Sequence, residues 1–235
     1  MFNMSSTLLE LLVASTTFVG IHISMSSSSI RTLLLARLGQ KKFRLLYFLI
    51  SGVLFSWIIT AYLHAPSLVL FEPNTGMKHV SFSVMGFACF LVVFGYTTSN
   101  PMATGKKGEG VHSLPFGVLK ITRHPIMWGM ALFAFCHVLA SGTAAAVIFF
   151  GSITFLAIAG TYHIDMNKQA EENGGWDAYL KLTSHVPLGA IISGRIRVER
   201  GEYKWWQMVL TAGLYVFFLM SHEAIIGRHI LHLPF

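Results

Sequence analysis

Six apolar runs, at about 7–25, 46–63, 79–98, 125–141, 143–162 and 206–226, take up most of this 235-residue chain. Crossing the hydrocarbon core of a bilayer takes about 20 residues of helix, and each run is near that length. One such run could be a buried core helix of a soluble protein. Six cannot, because a soluble domain carries about 25% charged residues and this chain carries 11%. The expected fold is an all-α polytopic membrane bundle of about six spans, a single domain with no separate soluble module.

The loops test that reading independently. Arg31, Arg37, Lys41, Lys42 and Arg44 follow the first run with no acid among them, whereas Lys78 after the second is offset by Glu72. Lys106, Lys107, Lys120 and Arg123 follow the third run. Ser141-Gly142-Thr143 carries no charge and predicts a tight antiparallel pair. Lys168, Lys181, Arg195, Arg197, Arg200 and Lys204 follow the fifth, mixed with acids. A basic excess on alternate loops puts those loops in the cytoplasm and both termini outside, as in a bacterial inner-membrane protein. The net charge of +7 would suggest nucleic acid in a soluble chain. Here the basic residues flank spans, so the expected partner is the lipid bilayer and not nucleic acid. The first ten residues carry no positive charge, and no small-residue cleavage site follows, so the first run reads as a retained helix.

Two connections have character of their own. Residues 30–39 read as a short amphipathic helix stopped by Gly39. Residues 163–194 begin as a polar continuation of the fifth span, break at Gly174-Gly175, and then offer Trp176, Tyr179 and His185-Val186-Pro187 to the interface. Asp165, Glu171 and Glu172 read as solvated. Cys89 and Cys136 lie inside apolar runs and read as buried small hydrophobes, although Cys136 adjoins His137.

Histidine is the residue type that points to chemistry, with eleven in the chain. His64, His79, His112, His229 and His232 lie in loops or at run ends and read as solvated, and His222 with Glu223 reads as an interfacial anchor. His22 and His137 sit inside apolar runs, where an imidazole is costly unless it is paired or bound. Neutral imidazole is a common metal ligand, and two from different helices can hold a haem iron axially. At 100° per residue, Ile126, Met130 and Phe133 share a face with His137, and His124 points away from it. That face suits a porphyrin edge and equally a packed helix with one hydrogen-bonded histidine. Arg123 and His124 precede Pro125, which suits a first helical turn. A guanidinium there can bind a lipid phosphate or, with two bonds at once, the carboxylate or phosphate of a cofactor.

Gly20-Ile21-His22, the serine run, Arg31, Leu38-Gly39, Arg44-Leu45-Leu46-Tyr47 and Ser51, followed by Ile121-Thr122-Arg123-His124-Pro125 and Gly129, resemble the NnrU family. The resemblance runs from about Gly20 to Gly194. That family groups bacterial membrane proteins linked to denitrification with a plant carotene isomerase branch. The resemblance implies haem b held by two histidines, here matching His22 and His137. A cysteine stands three residues before the second histidine in that branch, where this chain has Ala134, with Cys136 next to His137 instead. A more distant likeness is to isoprenylcysteine carboxyl methyltransferases, carried by Arg123-His124-Pro125 and by Gly175-Trp176-Asp177-Ala178-Tyr179-Leu180. It implies S-adenosylmethionine at the cytoplasmic face, lined by Arg123, His124, Pro125, Tyr179 and Glu171 or Glu172.

The expected function is therefore that of a haem-binding NnrU-type membrane protein, isomerase-like on an apolar substrate such as a polyene, or redox-active toward nitrogen oxides. The alternatives are an S-adenosylmethionine-dependent membrane methyltransferase with Arg123 and His124 at the cofactor, and a non-enzymatic membrane subunit whose histidines bond helix to helix.

Overall fold

The computed structural model describes residues 4–102, 114–170 and 176–226. Among these the regular structure is helical: α1 (Met4–Ser26), α2 (Ser28–His64), α3 (Thr75–Thr97), α4 (Val118–Ile121), α5 (Pro125–Ser141), α6 (Ala144–Gln169), α7 (Trp176–Leu182), α8 (Gly189–Ile192) and α9 (Trp205–Ile226). The protein is an all-α bundle. Each of the six apolar runs falls, to within one residue, on one of the helices α1, α2, α3, α5, α6 and α9. Four helices, α1, α2, α3 and α6, are long and apolar enough to cross a membrane by length and composition, and α5 is a shorter apolar helix. Their outward faces are apolar, with Phe48 72% exposed and Val53 70% exposed on α2, as segments bathed in lipid require.

The amphipathic stretch ends where glycine was expected to end it. Gly39 takes φ 72°, ψ 165° and breaks α2 into a short first part and a long second part. The second part runs antiparallel to α1, with His22 beside Ser51, Phe18 beside Phe55, and Leu11 and Ala14 packed with Ile58 and Ala61. The other expected break, at Gly174-Gly175, lies outside the described residues, as do His112, His229, His232, Glu171 and Glu172.

The remaining helices pair by close approach. α3 and α5 meet at glycines: a Cβ on Gly129 would come within 2.5 Å of Val92 Cγ2, and one on Gly95 within 2.7 Å of Ile126 Cγ1. Small residues let backbones approach this way where no hydrophobic effect drives helices together. The predicted tight turn is present: α5 ends at Ser141, Gly142 adopts φ 65°, and Thr143 caps α6 by accepting from the Ala146 N–H. The Gly142 carbonyl accepts from the Leu70 and Phe71 N–H groups, and the Ala144 N–H donates to Leu68 O, so the 65–74 connection is laced to the turn. That end of the bundle therefore holds the start of α1, the end of α2 and the α5–α6 turn. The ends of α1, α3 and α6 lie at the other end, with Arg31, Lys120, Arg123 and Lys168 near them.

Candidate functional site

The polar centre of the molecule lies at that basic end. Pro125 opens α5, and His124 caps it in non-helical backbone with φ −121°, ψ 54°. The residues before it are clamped to the segment after α7. The Arg123 N–H donates to Ser184 O at 3.1 Å, and the Leu188 N–H donates to Ile121 O at 2.8 Å. Two further bonds converge on the His185 carbonyl, from the Thr122 hydroxyl at 2.8 Å and from Trp128 Nε1 at 2.7 Å. These bonds set the His185 ring beside the His124 ring, with centroids 5.4 Å apart.

Helix α6 supplies the third partner through its register. It runs antiparallel to α5, with Thr154 Oγ1 donating to Ala131 O at 3.5 Å and Gly160 facing Met127. One turn further along α6, Asp165 reaches the start of α5. Its carboxylate then takes bonds from three side chains. Arg123 donates from Nε to Oδ1 at 2.9 Å and from Nη2 to Oδ2 at 2.6 Å. His124 Nε2 lies 2.7 Å from Oδ1, and His185 Nδ1 lies 3.1 Å from Oδ2. His185 Nε2 is 2.9 Å from Thr161 Oγ1, one turn back along α6, and the Tyr162 ring packs against His185 with centroids 4.2 Å apart.

The cluster is largely closed to water: His124 is 3% exposed, Asp165 8% and Thr161 1%. Burial holds the His124 pKa below the ordinary imidazole value, outweighing the Asp165 hydrogen bond and charge that raise it. His124 is therefore neutral near pH 7 and donates one N–H to the carboxylate. Nearby, burial also raises the Tyr179 hydroxyl above the usual phenol range, and Lys168 lies over the Trp176 ring at 4.5 Å.

Two of the residues singled out in the sequence, Arg123 and His124, belong to this site. The structure corrects the reading of Asp165, which is buried under an arginine and two histidines and is not solvated. His185 is likewise a partner of that carboxylate and not an interfacial residue. The signal that could have found Asp165 is periodicity: Thr161, Asp165 and Lys168 fall at i, i+4 and i+7, a polar stripe on one helical face, and all three are buried. Nothing in the sequence points to His185.

His22 and His137 lie elsewhere. The His22 Nδ1 takes the Phe18 carbonyl at 2.9 Å, Nε2 lies 3.1 Å from Ser51 Oγ, and Tyr47 stands edge-on at 5.4 Å. The His137 Nδ1 takes the Phe133 carbonyl at 2.8 Å, and its ring stacks on Phe150 at 4.6 Å. The His222 ring lies 6.4 Å from that of His137, so His222 faces another histidine and is not simply an interfacial anchor. Phe149, next to Phe150, packs in one cluster with Leu11 and Ala14. His22 lies eight residues beyond Ala14, about 12 Å further along α1 at 1.5 Å per residue. Bis-axial imidazoles bring their ligating nitrogens to within about 4 Å across the iron, given metal–nitrogen bonds of about 2 Å. The two rings therefore do not fit one bis-axial haem site. Arg123, expected to grip a cofactor, turns its Nε and Nη2 to Asp165 and its Nη1 to the Leu180 carbonyl.

A family profile described as NnrU protein matches residues 10–230. Over 94 residues, 40% of the chain, the sequence is 28% identical to "15-cis-zeta-carotene isomerase, chloroplastic" from Zea mays, and that stretch covers 26% of the plant protein. The chain thus matches about a quarter of its relative's length. No solved structure matches the chain.

Proposed function

The chain belongs to the NnrU family, and from that premise we propose that it is an isomerase-like membrane enzyme acting on an apolar substrate at the Arg123–His124–Asp165–His185 cluster. One observation carries the reading. Side chains from three separate segments converge on a single buried carboxylate at the end of apolar helices, an arrangement that bundle packing alone does not require. Two imidazoles beside one carboxylate are the parts of an acid–base centre. His124 can hold or release a proton toward a ligand, Asp165 stabilises the resulting imidazolium, and Arg123 fixes the carboxylate.

The substrate class follows from the surroundings and from the relative. The helices leading to the cluster carry exposed apolar side chains, Phe133 and Phe155 among them, which suits an apolar substrate drawn from the bilayer. The maize relative's name specifies a cis polyene. Isomerisation needs no group transfer, so the reading asks of the site only that it seat the conjugated chain and set a charged, proton-bearing group beside it. Haem b remains part of the proposal only through His137, on the apolar face shared with Phe133, since His22 lies at another depth.

The test is a cis-polyene assay in a bacterial host that accumulates 15-cis-zeta-carotene. The expected result is a shifted cis-to-trans ratio by chromatography with the wild-type chain, abolished in His185→Ala at equal membrane abundance. A ratio identical in cells with and without the wild-type chain overturns the proposal.

A further inference from the structure

Hydrogen-bond direction within the cluster says more than its geometry. The Thr161 hydroxyl has one proton, and it donates to Ile158 O at 2.5 Å. Toward His185 Nε2, 2.9 Å away, the Thr161 hydroxyl then accepts, so Nε2 carries a proton and Nδ1 is the nitrogen turned toward Asp165. The other ring nitrogen, Nδ1, faces the Asp165 carboxylate oxygen Oδ2 at 3.1 Å.

The ligand atoms of His124, Asp165 and His185 all lie within 4.8 Å of one another. Donor atoms bound at about 2.0–2.2 Å around one metal ion are about 3–3.5 Å apart; the 3.1 Å between His185 Nδ1 and Asp165 Oδ2 falls in that range, and the 2.7 Å between His124 Nε2 and Asp165 Oδ1 must widen slightly to admit an ion. We infer that His124, Asp165 and His185 form a site for one divalent transition-metal ion of the Fe2+ or Zn2+ class; the inference rests on the same cluster as the functional reading, and the ion takes the place of the His124 Nε2 proton, which leaves on binding. Two imidazoles and one carboxylate are a ligand set suited to such ions and ill-suited to Ca2+ or Mg2+, which prefer oxygen throughout.

The outer partners agree with that assignment. A metal-bound histidine usually donates its second N–H to a fixed acceptor, and a ligating carboxylate is itself hydrogen-bonded. His185 has Thr161 in the first role, and Asp165 has Arg123 in the second. Three protein ligands leave at least one coordination position open. Arg123 adds positive charge beside the single carboxylate, so the open position selects an anionic oxygen ligand.

The test uses the full-length protein in detergent, stripped with chelator and titrated with Co2+ and then Zn2+ in the absence of any polyene. The expected result is on the order of one ion per chain, with visible Co2+ bands that vanish in His185→Ala and persist in His222→Ala. Thr161→Val keeps all three ligands and should weaken Zn2+ binding about 10–100-fold. A wild-type chain that binds no more metal than His185→Ala overturns the inference, as do Co2+ bands that survive that substitution. Metal binding is read without turnover, so a failed polyene assay leaves this result standing, and a metal-free but active chain would retain the acid–base reading alone.

Discussion

His22 and His124 are both imidazoles near the ends of apolar helices, yet the protein satisfies them by opposite means. The Nδ1 of His22 bonds to the Phe18 carbonyl, one turn back on its own helix, and His137 does the same with Phe133. Those bonds form as soon as the helix does. His124 and His185 instead meet a carboxylate 41 and 20 residues away in sequence, and Arg123 joins them from 42 residues away. A backbone bond at Nδ1 therefore forms in any helix with a suitably placed histidine, and it does not by itself tell a ligand from a packed side chain. A histidine held only by distant side chains marks a place where the fold assembles charge on purpose or at a cost, since burying charged groups is unfavourable unless each is paired.

Breaking the distant set should have the largest effect. Asp165→Asn leaves the Arg123 guanidinium without its counter-charge at a site where both side chains are about one-tenth exposed. Removing one partner of a buried pair costs about 3–5 kcal/mol, and thermal unfolding in detergent should show a loss of that order. The double variant Arg123→Leu with Asp165→Asn should recover part of it, which a purely local role for Asp165 would not allow.

A smaller effect comes from acid. Burial depresses the His124 pKa in the folded protein, whereas the unfolded chain titrates near 6.5. The unfolded state therefore takes up the proton first. His124 contributes its full stability above about pH 6.5 and loses it as the pH falls from there toward the depressed folded value. In chelator-treated protein the unfolding midpoint should fall between pH 7.5 and 5.5, and His124→Gln should flatten that slope. A slope unchanged by the substitution would place the titrating group elsewhere.

The locally satisfied histidine should matter least. His22→Phe removes the bond to Ser51 between α1 and α2, and interhelical hydrogen bonds of this kind in membranes average about 0.6 kcal/mol. The expected outcome is a shift of that size in unfolding, with unchanged Co2+ binding and unchanged polyene ratio. Loss of either activity in His22→Phe would erase the contrast between the two regions and return His22 to the site.

Most of the fold was legible in the residues. The apolar runs are covalently local facts, and each must become a helix in lipid because its backbone polar groups have no other partners there. The break at Gly39 and the turn at Gly142 follow from glycine's access to positive φ, values of 72° and 65°. Half of the candidate site was legible too, because Arg123-His124-Pro125 concentrates polar groups at a helix start. Its other half was not. Asp165 looked like one acid of a charged loop, and the Thr161–Asp165–Lys168 spacing acquires meaning only if α6 stays helical to Gln169, as it does.

The sequence by itself determined that this protein is a helical membrane bundle, where its helices turn, and that histidine and arginine carry its polar chemistry. Only the tertiary structure decided which of those histidines act together. The register of α5 against α6 sets Asp165 opposite Arg123 and His124, and the clamp between residues 121–124 and 184–188 delivers His185 to the same carboxylate. Such partner choices arise between segments tens of residues apart, where helix packing and not local spacing sets which side chains meet.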